Sequence, residues 1–156
     1  MIRSTHSLLF AGGLAILLGS TAVPALAGVD LSAFVEGPKT LQAGLSGTYK
    51  VRVANFSETD APVELYIIFA GKLDQTGQIR PAPGYECALG HDAGINASIR
   101  CTGQLPRDSS YTDIVLIQAR GQESGVGKLL ITVDPSHLLP DTRFENNVYQ
   151  LDVNIN

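Results

Sequence analysis

In residues 47–55, GTYKVRVAN, apolar and polar side chains alternate, with Tyr49, Val51 and Val53 on one parity and Lys50, Arg52 and Ala54 on the other. Successive side chains of a β-strand point to opposite faces, so this period puts the first set in a core and the two basic residues in water. Gly47 and Asn55 bound the run, as turn residues do. The pattern returns along the chain. Val63, Leu65, Ile67 and Phe69 alternate after Pro62, and Leu129, Ile131 and Val133 alternate with Lys128, Leu130 and Thr132. Tyr149, Leu151, Val153 and Ile155 form the last set, and Val29, Leu31, Ala33 and Val35 the first, which stops at Gly37-Pro38. Two shorter sets, Tyr85-Cys87-Leu89 and Ile95-Ala97-Ile99-Cys101, lie between.

Residues 111–120, YTDIVLIQAR, read as a central strand, but Ile114 to Ile117 is apolar throughout and either parity gives an acceptable core side. Asp74 to Gly84 (DQTGQIRPAPG) reads as the longest polar connection, with shorter turns at Gly90–Gly94 and Gly121–Gly127. No segment after residue 27 shows the 3.6-residue apolar period of a helix. About seven to eight antiparallel strands at this spacing predict an all-β sandwich or barrel.

The first 27 residues stand apart. Arg3 gives a positive start, Leu8 to Leu18 an apolar stretch, and Ala25-Leu26-Ala27 a small-x-small cleavage signature. This predicts a signal peptide over residues 1–27, cut before Gly28. A membrane anchor would need about 20 strongly apolar residues, whereas this run dissolves into Gly19-Ser20-Thr21 and Pro24. No Cys near the cut offers a lipid attachment point, and no later stretch approaches membrane length. The expected product is residues 28–156, one domain, periplasmic or extracellular. Loss of Arg3 takes the formal net charge from −4 to −5, with His91 and His137 neutral. The scattered bases of an acidic chain argue against nucleic-acid binding. Cys87 and Cys101 are the only cysteines, and in an oxidising compartment the pair is most simply one disulfide. Closing a loop of that length stabilises a domain by roughly 3 kcal/mol.

Catalytic and cofactor motifs fail on inspection. Zinc wants three or four converging ligands, and a blue-copper site two His, a Cys and usually a Met; the only Met here is Met1. Around Gly125-Val126-Gly127-Lys128, Gln122 and Leu129 replace the first Gly and the hydroxyl of a phosphate loop. No G-x-S-x-G elbow follows a strand. No cofactor and no enzyme activity are therefore expected. One weak calcium candidate remains: Asp134, Asp141, Glu145 and Asn146, in the loop between the two final strands. It is not an EF-hand, because Leu138 and Leu139 occupy the fifth and sixth positions of the 134–145 span. The structural alternative has Asp134-Pro135 ending a strand, Leu138 and Leu139 tucked against the core, and Asn146-Asn147 capping the closing strand through side-chain hydrogen bonds. Asn55-Phe56-Ser57 and Asn96-Ala97-Ser98 match glycosylation triplets, and Asn55 reads instead as a strand-end turn residue.

Gly84-Tyr85-Glu86-Cys87, Ile99-Arg100-Cys101 and Gly103-Gln104-Leu105 resemble the central part of a conserved-repeat domain of unknown function found in bacterial surface proteins. Asp30-Leu31, the Tyr49–Asn55 strand, Val133-Asp134-Pro135 and Glu145-Asn146-Asn147 resemble the cell-adhesion-related domain found in bacteria, CARDB; Arg143 and Phe144 depart from its usually more acidic ending. The resemblance implies an immunoglobulin-like β-sandwich. It also implies a non-catalytic interaction or structural module of the cell envelope, adhesion-related, whose partner is a protein or a surface glycan. The alternative is a small secreted enzyme or enzyme inhibitor that uses the 74–84 loop.

Overall fold

The inward parities meet between two sheets. A computed structural model describes residues 28–90 and 97–156. The expected signal peptide, Asn96 and most of the Gly90–Gly94 turn lie outside the described residues. The strands are β1 (Leu31–Glu36), β2 (Thr40–Leu41), β3 (Ser46–Asn55), β4 (Ala61–Gly71), β5 (Leu73–Pro81), β6 (Glu86–Gly90), β7 (Ser98–Leu105), β8 (Ser109–Gly121), β9 (Gly125–Val133) and β10 (Val148–Ile155). One sheet has four strands in the order β1-β3-β8-β5, the other six in the order β2-β10-β9-β4-β7-β6. The architecture is the expected sandwich, with more strands than the seven to eight read from the sequence. One pairing is parallel, β2 on β10.

Tyr49, Val51, Ile114 and Ile117 of the smaller sheet face Leu65, Ile67, Phe69, Ile99, Leu129 and Ile131 of the larger, all fully buried. Removing such side chains from water is the main favourable contribution to folding. The chain changes sheets between β1 and β2, at Gly37-Pro38, and the Tyr49 ring fills that corner; a Cβ on Gly37 would run into the ring. Burial pushes the Tyr49 phenol up to about 12. Its hydroxyl has no hydrogen-bond partner.

The ambiguous run of β8 resolves through a bulge. Val51 pairs with Val115 but Arg52 pairs with Asp113, so Ile114 is an extra residue. Ile114 and Val115 are therefore both buried, while Leu116, Gln118 and Arg120 face out. The 74–84 stretch is not a loop. Most of it is β5, an edge strand paired only with β8. One open edge favours polar residues, and a register shift between Thr76 and Arg80 interrupts the alternation that would have marked it.

β6 and β7 pair antiparallel with Cys87 opposite Cys101, and a disulfide joins them. Two residues along, the Tyr85 ring lies over Gly103, where a Cβ would collide with it, and the Tyr85 hydroxyl donates to the Gln104 carbonyl at 3.1 Å. Burial raises the Tyr85 phenol above its ordinary value. Asn55 is buried at the end of β3, where its amide donates to the carbonyls of Thr59 at 2.9 Å and Pro106 at 3.2 Å, and its oxygen accepts from the Ser57 backbone at 3.1 Å. It holds the turn, as its sequence position suggests.

Candidate functional site

The outward residues of β4 are Glu64, Tyr66, Ile68 and Ala70, and β4 lies inside the six-stranded sheet with β9 on one side and β7 on the other. Register aligns them with their neighbours in rows. Tyr66 stands between Thr132 and Arg100, and Thr132 in turn beside Val148. Ile68 stands beside Leu130, and Ala70 beside Lys128. Side chains directly opposite on adjacent strands lie roughly 5 Å apart and diagonal ones roughly 7 Å, so Tyr66, Ile68, Ala70 and Leu130 form one apolar platform, with Val148 diagonal to Leu130 at its edge. The first four are half-buried, and Val148 is 50% exposed.

Polar residues ring the platform. Lys128 and Asp152 stand opposite each other at one end. At the other, Arg100 pairs with Glu64 at 2.6 Å. Beyond that ion pair, Pro62, Glu64, Arg100, Thr102, Leu138 and Leu139 line a notch of about 270 Å³. Leu138 forms its lip, 78% exposed, and does not tuck against the core; Leu139, half-buried, does. The face thus has an apolar centre, a polar rim and one adjoining concavity.

The loop that shapes the notch contains the four calcium candidates. Asp134 is buried, with positive φ; its carboxylate accepts from the backbone N–H groups of Leu138 and Leu139, both at 3.0 Å. Asp141 accepts from Arg143 at 2.7 Å and from Leu31 at 3.3 Å, which ties the loop to β1. Glu145 and Asn146 lie in a single 3₁₀ turn, Phe144–Asn146, where the Asn146 amide donates to Asp30 at 2.8 Å. Thus Asn146 reaches β1's approach rather than its own turn, and the buried Asn147 side chain makes no hydrogen bond within the protein. Among the described residues no group of three or more His, Cys, Asp or Glu converges as a metal-ligand set. No helix among them is long and apolar enough to cross a membrane.

The residues of this loop and the disulfide are legible in the sequence, and the platform is not. The available signal was the continuous apolar run Leu65–Ala70, where the outward parity fails to turn polar.

No protein-family model matches the sequence, and no curated protein matches it. Solved structures do match. The CARDB domain of a Pyrococcus furiosus protein superposes with a TM-score of 0.61 at 17% identity, covering 83% of this chain and 97% of that one. The fold is that of a CARDB domain. A second structure of the same domain, in complex with di-metal ions, gives a TM-score of 0.60 at 15% identity and covers 83% of this chain and 90% of that one. A cohesin module from a Clostridium perfringens family 33 glycoside hydrolase gives 0.59 at 9% identity, covering 82% and 98%. This CARDB-like sandwich therefore also shares its architecture with cohesins.

Proposed function

We propose that the protein is an exported, non-catalytic interaction module that binds a protein partner through the outer face of its six-stranded sheet. The observation that carries the reading is the Tyr66–Ile68–Ala70–Leu130–Val148 platform: a central strand of a sheet whose inner face is already in the core presents a second apolar side. A partly exposed apolar stripe with a polar rim is a place where another macromolecule can replace water. The fold agrees with this reading, since one matched structure is a chain of a complex between CaDoc0917 and CaCohA2. Fold alone supports architecture more than function, so the face carries the argument. The disulfide supports an oxidising compartment. Export follows from the Ala25-Leu26-Ala27 signature, and mass spectrometry of the exported protein is expected to find Gly28 first; an intact Met1 would count against it.

The binding test is affinity capture from the envelope fraction of the source cells. Wild-type protein and a Lys50→Glu control on the opposite sheet are expected to retain one and the same partner, which Ile68→Glu and Leu130→Glu, checked for unchanged melting, release. A partner that Lys50→Glu loses equally, or none that depends on Ile68 and Leu130, overturns the reading. The 134–147 loop is read as structural, its carboxylates committed to backbone N–H groups. Millimolar Ca²⁺ is then expected to leave the melting temperature unchanged, whereas a site at 100 times its Kd would add about 2.7 kcal/mol. A calcium-dependent rise abolished by Asp141→Ala would make the loop a metal site.

A further inference from the structure

The irregularity of β5 creates a second feature on the opposite side of the molecule. Thr76 pairs with Gln118 and Arg80 with Leu116, so Gly77, Gln78 and Ile79 of β5 stand against Ile117 alone. Gly77 takes a positive φ, and a Cβ there would run into the Gln118 side chain, so the backbone closes directly against that amide. Ile79 is half-buried against the core, while Gln78 and Arg80 flank a cavity of about 340 Å³ completed by Thr48, Leu116 and Gln118. Bulges re-aim side chains in this way and are over-represented at sheet edges, such as β5, and next to active sites. The volume lies at the lower end of the range for small-ligand pockets.

The charges around the cavity are unevenly matched. Asp113 is engaged by Lys50 at 3.3 Å and by Arg52 at 3.0 Å, and Glu36 stands 3.9 Å from Arg52. Among the described residues Arg80 is in no ion pair. The cavity therefore offers one guanidinium fork, two side-chain amides that both donate and accept, one hydroxyl, and the aliphatic surface of Leu116, which is 37% exposed.

We propose that this bulge cavity binds a carboxylate-bearing sugar, a hexuronate unit. A guanidinium pairs with a carboxylate through two parallel N–H···O bonds, so one Arg matches one carboxylate. Apart from Arg80 the lining is uncharged, and Lys50, which stands opposite Leu116, is engaged by Asp113. Gln78, Gln118 and Thr48 match ring hydroxyls, which also both donate and accept, and Leu116 packs on the C–H face of the ring. The site lies on the four-stranded sheet and does not rest on the protein-binding reading of the other face.

The test is a titration of the purified protein followed by NMR of its side-chain and backbone amides, with glucuronate and galacturonate as probes and glucose and acetate as controls. One of the hexuronates is expected to shift the Gln78 and Gln118 side-chain amides. Glucose and acetate are each expected to bind at least about tenfold more weakly, because each lacks one half of the recognised chemistry. Arg80→Gln is expected to lose at least about tenfold in affinity, since it removes a charge-assisted pair from an exposed position. Lys128→Gln, on the six-stranded sheet, is expected to leave affinity unchanged. Acetate binding as tightly as the uronates, retention by Arg80→Gln of equal melting temperature, or no shift at Gln78 and Gln118 with either uronate overturns the proposal.

Discussion

On the four-stranded sheet the outward neighbours of Val51 are Lys50 and Arg52, and Asp113 bonds to both. On the six-stranded sheet the outward neighbours of Ile67 and Phe69 are Ile68 and Ala70, with Leu130 across from Ile68. The inner faces of the two sheets are chemically alike, because one core receives both. The outer faces differ because alternation fixes which way a residue points and leaves free what it is chosen to meet. Charged outward residues are solvated by water and by one another. An apolar outward stripe on a central strand has no such role, and it adds stability only to the extent that its members shield each other.

Adjacent residues on β4 give the sharpest way to break this contrast. Ile67 is fully buried and Ile68 faces outward beside Leu130. Ile67→Ala is expected to cost about 2–5 kcal/mol, the transfer energy plus the cavity left behind, and Ile68→Ala less than about 1 kcal/mol. Urea denaturation measures both. Equal losses would mean that the platform belongs to the stability of the sandwich and is not free for a partner.

The next effect concerns how the larger sheet keeps its outermost strand. β6 pairs only with β7, and the Cys87–Cys101 bridge fixes that pairing. Replacing both cysteines by Ala is expected to lower stability by roughly 3 kcal/mol, since the unfolded chain without the cross-link regains the freedom of a 14-residue separation. Hydrogen exchange should then show β6 opening while β4 and β9 stay protected. Loss of protection across the whole sheet would show that the platform depends on the staple.

Comparable in size is the alkaline response of Tyr49, which belongs to the smaller sheet's inner face. Its phenol is raised from 10.0 to about 12 by burial. A raised folded-state value stabilises the protein fully below pH 10, and that contribution is lost as pH climbs toward 12. The span corresponds to about 2–3 kcal/mol. Tyr49→Phe is expected to flatten this alkaline loss, and at neutral pH to cost little, because the hydroxyl has no partner to lose. Melting curves from pH 8 to 12 decide it; an unchanged alkaline slope in the variant would place the titrating group elsewhere.

The sequence alone showed the inner faces far better than the outer ones. Tyr49, Val51, Leu65, Ile67, Leu129 and Ile131 are legible because a core demands period two of every strand that borders it. The Cys87 and Cys101 parities were legible for the same reason. β5 was not, since its open edge admits polar residues and its Gly77–Ile79 bulge erases the period. Nor was the facing of Ile114–Ile117, because a bulge buries two consecutive residues and satisfies both parities at once. The platform was the least visible. Register between β4 and β9 is a long-range property, and only pairing reveals that Ile68 and Leu130 are neighbours.

The smallest expected effect lies on the charged face. Asp113 holds Lys50 and Arg52, but all three side chains are between 32% and 48% exposed, so water and salt screen most of the attraction. Asp113→Asn keeps the size of the side chain and removes its charge. It is expected to cost no more than about 1 kcal/mol, and less at 1 M salt, where the screening length falls to about 3 Å. Partner binding through Ile68 and Leu130 should respond oppositely, holding or strengthening as salt rises, because burial of apolar surface is not screened. Measured side by side, stability of Asp113→Asn and capture by wild type across a salt series separate the two faces by the sign of their response. If capture weakens with salt as steeply as the Asp113 pairs do, the partner reads charge, and the four-stranded face becomes the better candidate.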